Sequence, residues 1–216
     1  MTENLLNFLS TIDNLKITHR WENLPQWGGI GENNHLESVA DHSWKLAILT
    51  ITVINEYNLS DIDLNRAVLI ANIHDLAESL TGDISTRLIT QGVISKTFKE
   101  EQEKISMDKM LSSLNNDNKK FILSIWKEYE SGKTKEAKLV KCLDKLDALI
   151  HFISHSDLSK DNVTGDPNHF GSYGNKYFAT CPEIRELIDS IKSKMKKKYQ
   201  EWDIEWKDNF NVEWKK

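Results

Sequence analysis

The stretch Ile73-His74-Asp75-Leu76-Ala77-Glu78 sets a histidine and an aspartate side by side in an apolar run. A lone histidine stands upstream at His42, and a lone aspartate downstream at Asp144. All four lie in segments with helical periodicity, so two imidazoles and two carboxylates from three separated helices can close around one divalent cation. Neutral imidazole and carboxylate suit zinc, manganese, iron or cobalt, and the lack of thiolate argues against a structural zinc knot. Taken singly, the residues say little. A histidine on an apolar helix is more often a hydrogen-bonded core residue, and an aspartate such as Asp144 is more often solvated or half of a surface ion pair. Order, helical setting and neighbouring residues together carry the metal reading.

Working outward, helical periodicity dominates, and the chain has only 3 prolines and 9 glycines. Leu5, Leu6, Phe8, Leu9, Ile12 and Leu15 recur at helical spacing. Pro25 to Asn34 reads as a loop. A helix is predicted over Ser38–Tyr57, with Val39, Trp44, Leu46, Ala47, Leu49, Val53 and Ile54 inward. The next covers Leu64–Glu78, with Ser60-Asp61 as capping candidates and Thr81-Gly82-Asp83 as its end. Further helices are expected over Lys96–Leu114, Asn118–Ser131 and Thr134–His155. Lys160–Thr180 reads as a long loop, and a capping box at Thr180-Cys181-Pro182-Glu183 opens a last helix to about Trp202. The indoles of Trp202, Trp206 and Trp214 are too many for a solvated tail, and are expected to pack on the domain or on a second subunit.

A chain of 216 residues fits one domain over 1–216, with a motif-bearing core over about 15–155 and a C-terminal loop and helix, 160–216, packed on it. No apolar run approaches the roughly 20 residues of a membrane span, and the first residues lack a basic signal-peptide region. Cys142 and Cys181 suggest no disulfide framework; Cys142 reads as a buried thiol, and a reducing cytoplasm is the expected compartment. The net charge of −5 argues against a nucleic-acid polymer as partner. The basic run Lys192–Lys198 reads as a solvated helix face.

The match to a known pattern extends past the four ligands. Arg20-Trp21, Glu37-Ser38-Val39-Ala40-Asp41-His42-Ser43, His74-Asp75-Leu76-Ala77-Glu78-Ser79-Leu80-Thr81-Gly82-Asp83 and Val140-Lys141-Cys142-Leu143-Asp144 stand in order over about Leu15 to Ile153. This set resembles the HD-domain metal phosphohydrolases, and within them the 5′-deoxynucleotidase family that includes HD-domain-containing protein 2. The resemblance implies an all-α fold, a single compact HD-domain helical bundle, and a homodimer. It implies one divalent ion per subunit (manganese, cobalt, zinc, iron or magnesium) and removal of phosphate from deoxyribonucleoside 5′-monophosphates. HD proteins that hold two metals insert extra histidines between the central pair and the last aspartate. None occurs between Asp75 and Asp144, which favours one metal and hydrolysis.

Carried over by residue, the resemblance makes His42, His74, Asp75 and Asp144 the metal ligands. Glu78, four residues after His74 and expected on the same helix face, becomes the general acid/base. Arg20 would hold the phosphate, Trp21 would pack on sugar or base, and Asp83 would accept a hydrogen bond from the 3′-hydroxyl. Tyr129-Glu130-Ser131-Gly132 matches a substrate-contacting segment, with Glu130 as its candidate. Asp147 and His151, on the face of Asp144, are candidates to orient a ligand, and Asp147 is the alternative to Asp144.

The chain departs from the simplest family pattern in a longer loop after Trp21, holding Trp27-Gly28-Gly29-Ile30-Gly31, and in Lys160–Thr180, read as a lid or a dimer contact. The nearest rival function is a deoxynucleoside triphosphate hydrolase. No lysine or arginine occurs between Arg20 and Lys45 to clamp a triphosphate there, which favours the monophosphate. A non-catalytic metal-binding HD protein and a metal-free bundle with buried polar pairs rank below both, because neither Glu78 nor any ligand is lost.

Overall fold

The computed structural model describes residues 2–20, 29–30, 35–155 and 169–214. Trp21 and most of the Pro25–Asn34 stretch lie outside the described residues, as does 156–168. The architecture is all-α. The first turns are α1 (Thr2–Ile12), α2 (Val39–Glu56), α3 (Leu64–Ile73), α4 (Glu78–Thr81) and α5 (Thr86–Thr90). They are followed by α6 (Lys96–Met110), α7 (Asn116–Ser131), α8 (Lys135–His155), α9 (His169–Ser172), α10 (Asn175–Phe178) and α11 (Arg185–Glu201). A two-residue antiparallel ribbon pairs Gly29 with Leu36 and Ile30 with His35, where the sequence suggested only a loop.

Local chemistry sets the helix ends. Ser38 and Asp41 form a reciprocal capping box at the start of α2, each side chain accepting from the other's backbone N–H. Asp63 caps α3, not Ser60 or Asp61; its carboxylate accepts from Arg66 N at 3.0 Å. Gly132 ends α7 in the left-handed region at φ 58°. The capping box expected at Thr180 does not form. Thr180 Oγ1 donates to Tyr177 O instead, and Pro182–Ile184 is a single 3-10 turn leading into α11. Lys160–Thr180 is not a plain loop either, since α9 and α10 occupy its described part.

The long helix α8 is apolar on most sides, as a central core helix must be. Leu139, Leu143, Leu146, Leu149 and Phe152 are all buried among α2, α3, α7 and α11. The buried face of α2 is Val39, His42, Ser43, Leu46, Ala47, Thr50, Val53 and Ile54. Trp44, expected inward, is 68% exposed: it stands two residues from Leu46, roughly 200° around the helix. Helix α11 presents Ile188, Ile191, Met195 and Tyr199 to the same core, and each such side chain contributes roughly 1.5–3 kcal/mol by burial. Trp202 is buried there and Trp206 and Trp214 pack against it, so the tail indoles belong to this domain. A smaller cluster of Leu15, Val39, Leu76, Met107, Leu111 and Trp126 seats α1 and α6 beside it. Lys192 breaks the expectation of a solvated basic face. It is 6% exposed, and its Nζ donates to Gly171 O at 2.6 Å.

No helix among the described residues is long and apolar enough to cross a membrane. Cys142 and Cys181 are both free and buried.

Candidate metal centre

Helix α3 delivers the His74-Asp75 pair, but it stops at Ile73 rather than running on to Glu78. The chain continues through i to i−3 hydrogen bonds: Leu76 N to Ile73 O, Glu78 N to Asp75 O and Ser79 N to Leu76 O, at 3.0–3.1 Å. At that tighter pitch, residues three apart eclipse. Asp75 and Glu78 therefore share a face, where the sequence placed His74 and Glu78 together. An apolar pattern does not distinguish the two pitches over one turn. Gly82, at φ 71°, then closes α4 and turns Asp83 back toward the site.

The imidazoles are fixed from behind. His74 Nδ1 lies 2.9 Å from the Ala71 carbonyl, which can only accept, so this nitrogen carries the proton. His42 Nδ1 lies 2.9 Å from Asp147 Oδ2, and Asp147 is held ionised: burial alone would raise its pKa, but His42 and Lys45 lower it. Both Nε2 atoms are buried and without a hydrogen-bond partner. Together with a carboxylate oxygen of Asp75 they lie within 4.8 Å of one another. His74 Nε2 is 3.0 Å and His42 Nε2 3.9 Å from Asp75 Oδ2. Asp144 joins from α8, its Oδ1 3.4 Å from His42 Nε2. It stands outside the tight trio, with Oδ2 accepting from the Tyr129 hydroxyl at 2.8 Å and facing Lys145 Nζ at 2.8 Å. Two orphaned imidazole nitrogens and two carboxylates suit a divalent cation of intermediate hardness.

Glu37, His42 and Asp147 also cluster within 4.8 Å, but cations already neutralise that group. The Arg20 guanidinium is 3.1 Å from Glu37 and 3.9 Å from Asp147, and Lys45 Nζ is 2.8 Å from Asp147. Arg20 is placed by backbone pairing: its N–H donates to Glu37 O, and Val39 N–H donates to Thr18 O. Buried and ringed by carboxylates, it is a fixed cation at the cleft. Burial would raise the Glu37 carboxyl, but His151 and Arg20 hold it well below the usual range.

A cleft of about 480 Å³ opens over the centre. Arg20, His74, Asp75, Glu78, Asp83, Glu130 and Asp144 line it, while His42 lies fully buried behind Asp75 and Asp144. Trp21 lies outside the described residues. Glu78 is 4% exposed; burial, then Asp75 and Asp83, push its carboxyl well above the usual range, against Lys99 at 3.5 Å. Burial also raises Asp83, against the pull of Arg20 and Lys99. Sequence reasoning gave Glu37 no role, although it opens the motif around His42, and it missed Lys99 and Lys145 as parts of this centre. Lys145 adjoins Asp144 in the chain, whereas Lys99 is brought in by packing alone. His35, in the short ribbon before α2, contacts Asp41 at 3.1 Å and is exposed.

The family model of the HD domain matches residues 12–185, most of the chain. The chain belongs to the HD domain family. This HD protein is 32% identical over 196 residues to the 5′-deoxynucleotidase HDDC2 of Danio rerio, covering 88% of this chain and 86% of that one. It is 29% identical to the 5′-deoxynucleotidase HDDC2 of Bos taurus, covering 88% and 85%. Among solved structures, a protein described as a predicted metal-dependent phosphohydrolase from Magnetospirillum magnetotacticum shares the fold. The TM-score is 0.67 at 20% identity, covering 94% of this HD protein and 95% of that one.

Proposed function

We propose that this HD domain, acting as one unit over 1–216, removes the 5′-phosphate from deoxyribonucleoside 5′-monophosphates. The observation that carries the reading is the pair of buried, partnerless Nε2 atoms of His42 and His74 facing Asp75 beneath a polar cleft. The relatives named 5′-deoxynucleotidase support the substrate class. His42, His74, Asp75 and Asp144 would hold one divalent ion per subunit: manganese, cobalt, zinc, iron or magnesium. Such an ion, when bound, shields phosphate charge and lowers the pKa of water at the centre.

The chain's own groups do the rest. Arg20, fixed by Glu37, holds the phosphate oxygens with charge-assisted bonds. Glu78, its carboxyl pushed well above the usual range by burial, donates a proton to the leaving 5′-oxygen. Asp83 accepts from the 3′-hydroxyl, Glu130 on the cleft wall contacts the substrate, and the resemblance gives Trp21 the sugar or base. Exposed Leu5, Leu6 and Leu9 on α1 and Trp44 and Ile48 on α2 support a homodimer. Free buried thiols support a cytoplasmic setting.

The test is product analysis with manganese- or cobalt-loaded protein across deoxy- and ribonucleoside mono- and triphosphates. Inorganic phosphate released from the deoxymonophosphates is the expected result. Loaded protein that releases none from any of them would remove the reading.

A further inference from the structure

The sequence shows no cation between Arg20 and Lys45, yet the cleft is rich in lysine, because α6, α8 and α10 bring it from elsewhere. Lys138, Lys141 and Lys145 stand three and four residues apart on α8, so they occupy one helix face, and all three line the cleft. The row starts at the metal centre, with Lys145 Nζ 2.8 Å from Asp144 Oδ2. It leads outward along α8 by about 10 Å, at about 1.5 Å per residue, to Lys138.

Lys141, in the middle, is the most informative. Its stem packs on Gly132, where an added Cβ would come 3.3 Å from Lys141 Cε. Its ammonium sits 3.8 Å from the centre of the Tyr129 ring, and Tyr129 in turn contacts Asp144. Burial lowers the Lys141 pKa, and the pull of Glu130, Tyr177 and Asp144, none of them in a salt bridge with it among the described residues, offsets this only in part. The lysines across the cleft differ: Lys96 pairs with Glu100 at 2.8 Å and Lys99 with Glu103 at 3.1 Å. A half-buried cation whose acidic neighbours do not fully offset its lost hydration, with another lysine one turn away on either side, is a site prepared for an arriving anion.

We propose that Lys138, Lys141 and Lys145 form a subsite for phosphates beyond the one at the metal centre, so that the cleft binds deoxynucleoside 5′-di- and triphosphates more tightly than monophosphates. The proposal rests on the nucleotide reading above. Lysine suits this role because an ammonium binds phosphate as a point charge and does not demand one fixed geometry along a flexible chain of phosphates.

The experiment is calorimetric binding of the deoxyadenosine and deoxycytidine mono-, di- and triphosphate series, in magnesium, to protein carrying Glu78→Gln to suppress turnover. The expected triphosphate affinity exceeds the monophosphate affinity by roughly tenfold or more, and the ratio falls as salt screens the lysines. Adding Lys138→Gln and Lys141→Gln should bring the ratio to about threefold or less. Lys133→Gln, a lysine that does not line the cleft, should leave it unchanged. A ratio near one, a ratio indifferent to salt, or a ratio that survives the double substitution overturns the subsite. Phosphate release from deoxymonophosphates by the wild-type protein, combined with a ratio near one, removes the subsite alone; no such release removes the nucleotide reading and the subsite with it.

Discussion

Asp147 Oδ2 accepts a hydrogen bond from His42 Nδ1 at 2.9 Å, while Asp144, one turn earlier on the same helix, faces the opposite nitrogen of that ring at 3.4 Å. A single helix thus both orients the imidazole and supplies a carboxylate to the centre it serves. Lys45 faces the other oxygen of Asp147 at 2.8 Å, so both oxygens of this carboxylate already face a cation or a ring nitrogen. The two aspartates thus face different nitrogens of the same ring.

Replacing Asp147 by Asn keeps the shape but removes the charge that sets the His42 tautomer. The expected loss in metal affinity is about 10–100-fold. Titration against a chromophoric chelator measures it, and an affinity equal to wild type would discard the orienting role.

Asp144→Ala is expected to remove the metal. It also strands the Tyr129 hydroxyl and the Lys145 ammonium, both of which use Asp144 Oδ2. Breaking a buried ion pair on one side costs about 3–5 kcal/mol, so the metal-free variant should also unfold at lower denaturant than metal-free wild type. Full metal retention would transfer the ligand role to Asp147.

Glu78→Gln is expected to keep the metal and lose roughly two or more orders of magnitude in turnover. Burial, Asp75 and Asp83 keep the Glu78 proton on above the usual carboxylate range. A general acid of this kind is active below its pKa and inactive above it, so the wild-type rate should fall on the alkaline side. The Gln variant should lack that limb. A variant with near-normal turnover removes Glu78 from the chemistry.

Lys192 offers a prediction away from the site. Burial pushes its ammonium down from 10.5 to about 7. Between those values the unfolded chain binds the proton and the folded chain does not, so stability rises with pH through that window. The destabilisation is full below about pH 7 and gone above about 10.5. Lys192→Met should therefore stabilise the protein at pH 6 by about 1–2 kcal/mol, or roughly 2–8 °C in Tm, net of the lost bond to Gly171 O. The gain should shrink toward pH 10, and thermal melts of both proteins at the two pH values decide it. An equal difference at both would mean that Lys192 stays charged in the fold.

Much of this protein is legible along the chain. The all-α class follows from apolar spacing in α2, α8 and α11, and the order His42, His74-Asp75, Asp144 with Glu78 and Asp83 nearby names the chemistry. Such features are local: periodicity, a dipeptide and a Gly-Asp turn are set by residues within a turn or two of one another. The helix read through to Glu78 was a matter of pitch, and Trp44 a matter of angle; both depend on which face the core claims.

The sequence by itself determined the all-α class, most of the long helices, the candidate ligand residues and the family to which they belong. Only the tertiary structure decided that Asp147 orients His42 while Asp144 faces the centre, that Glu37 anchors Arg20, and that lysines of α8 wall the cleft. It also buried Lys192 inside a run that reads as solvated. The reason is physical: hydrogen bonds, ion pairs and desolvation act over a few ångströms in space, between residues as far apart in the chain as His42 and Asp147.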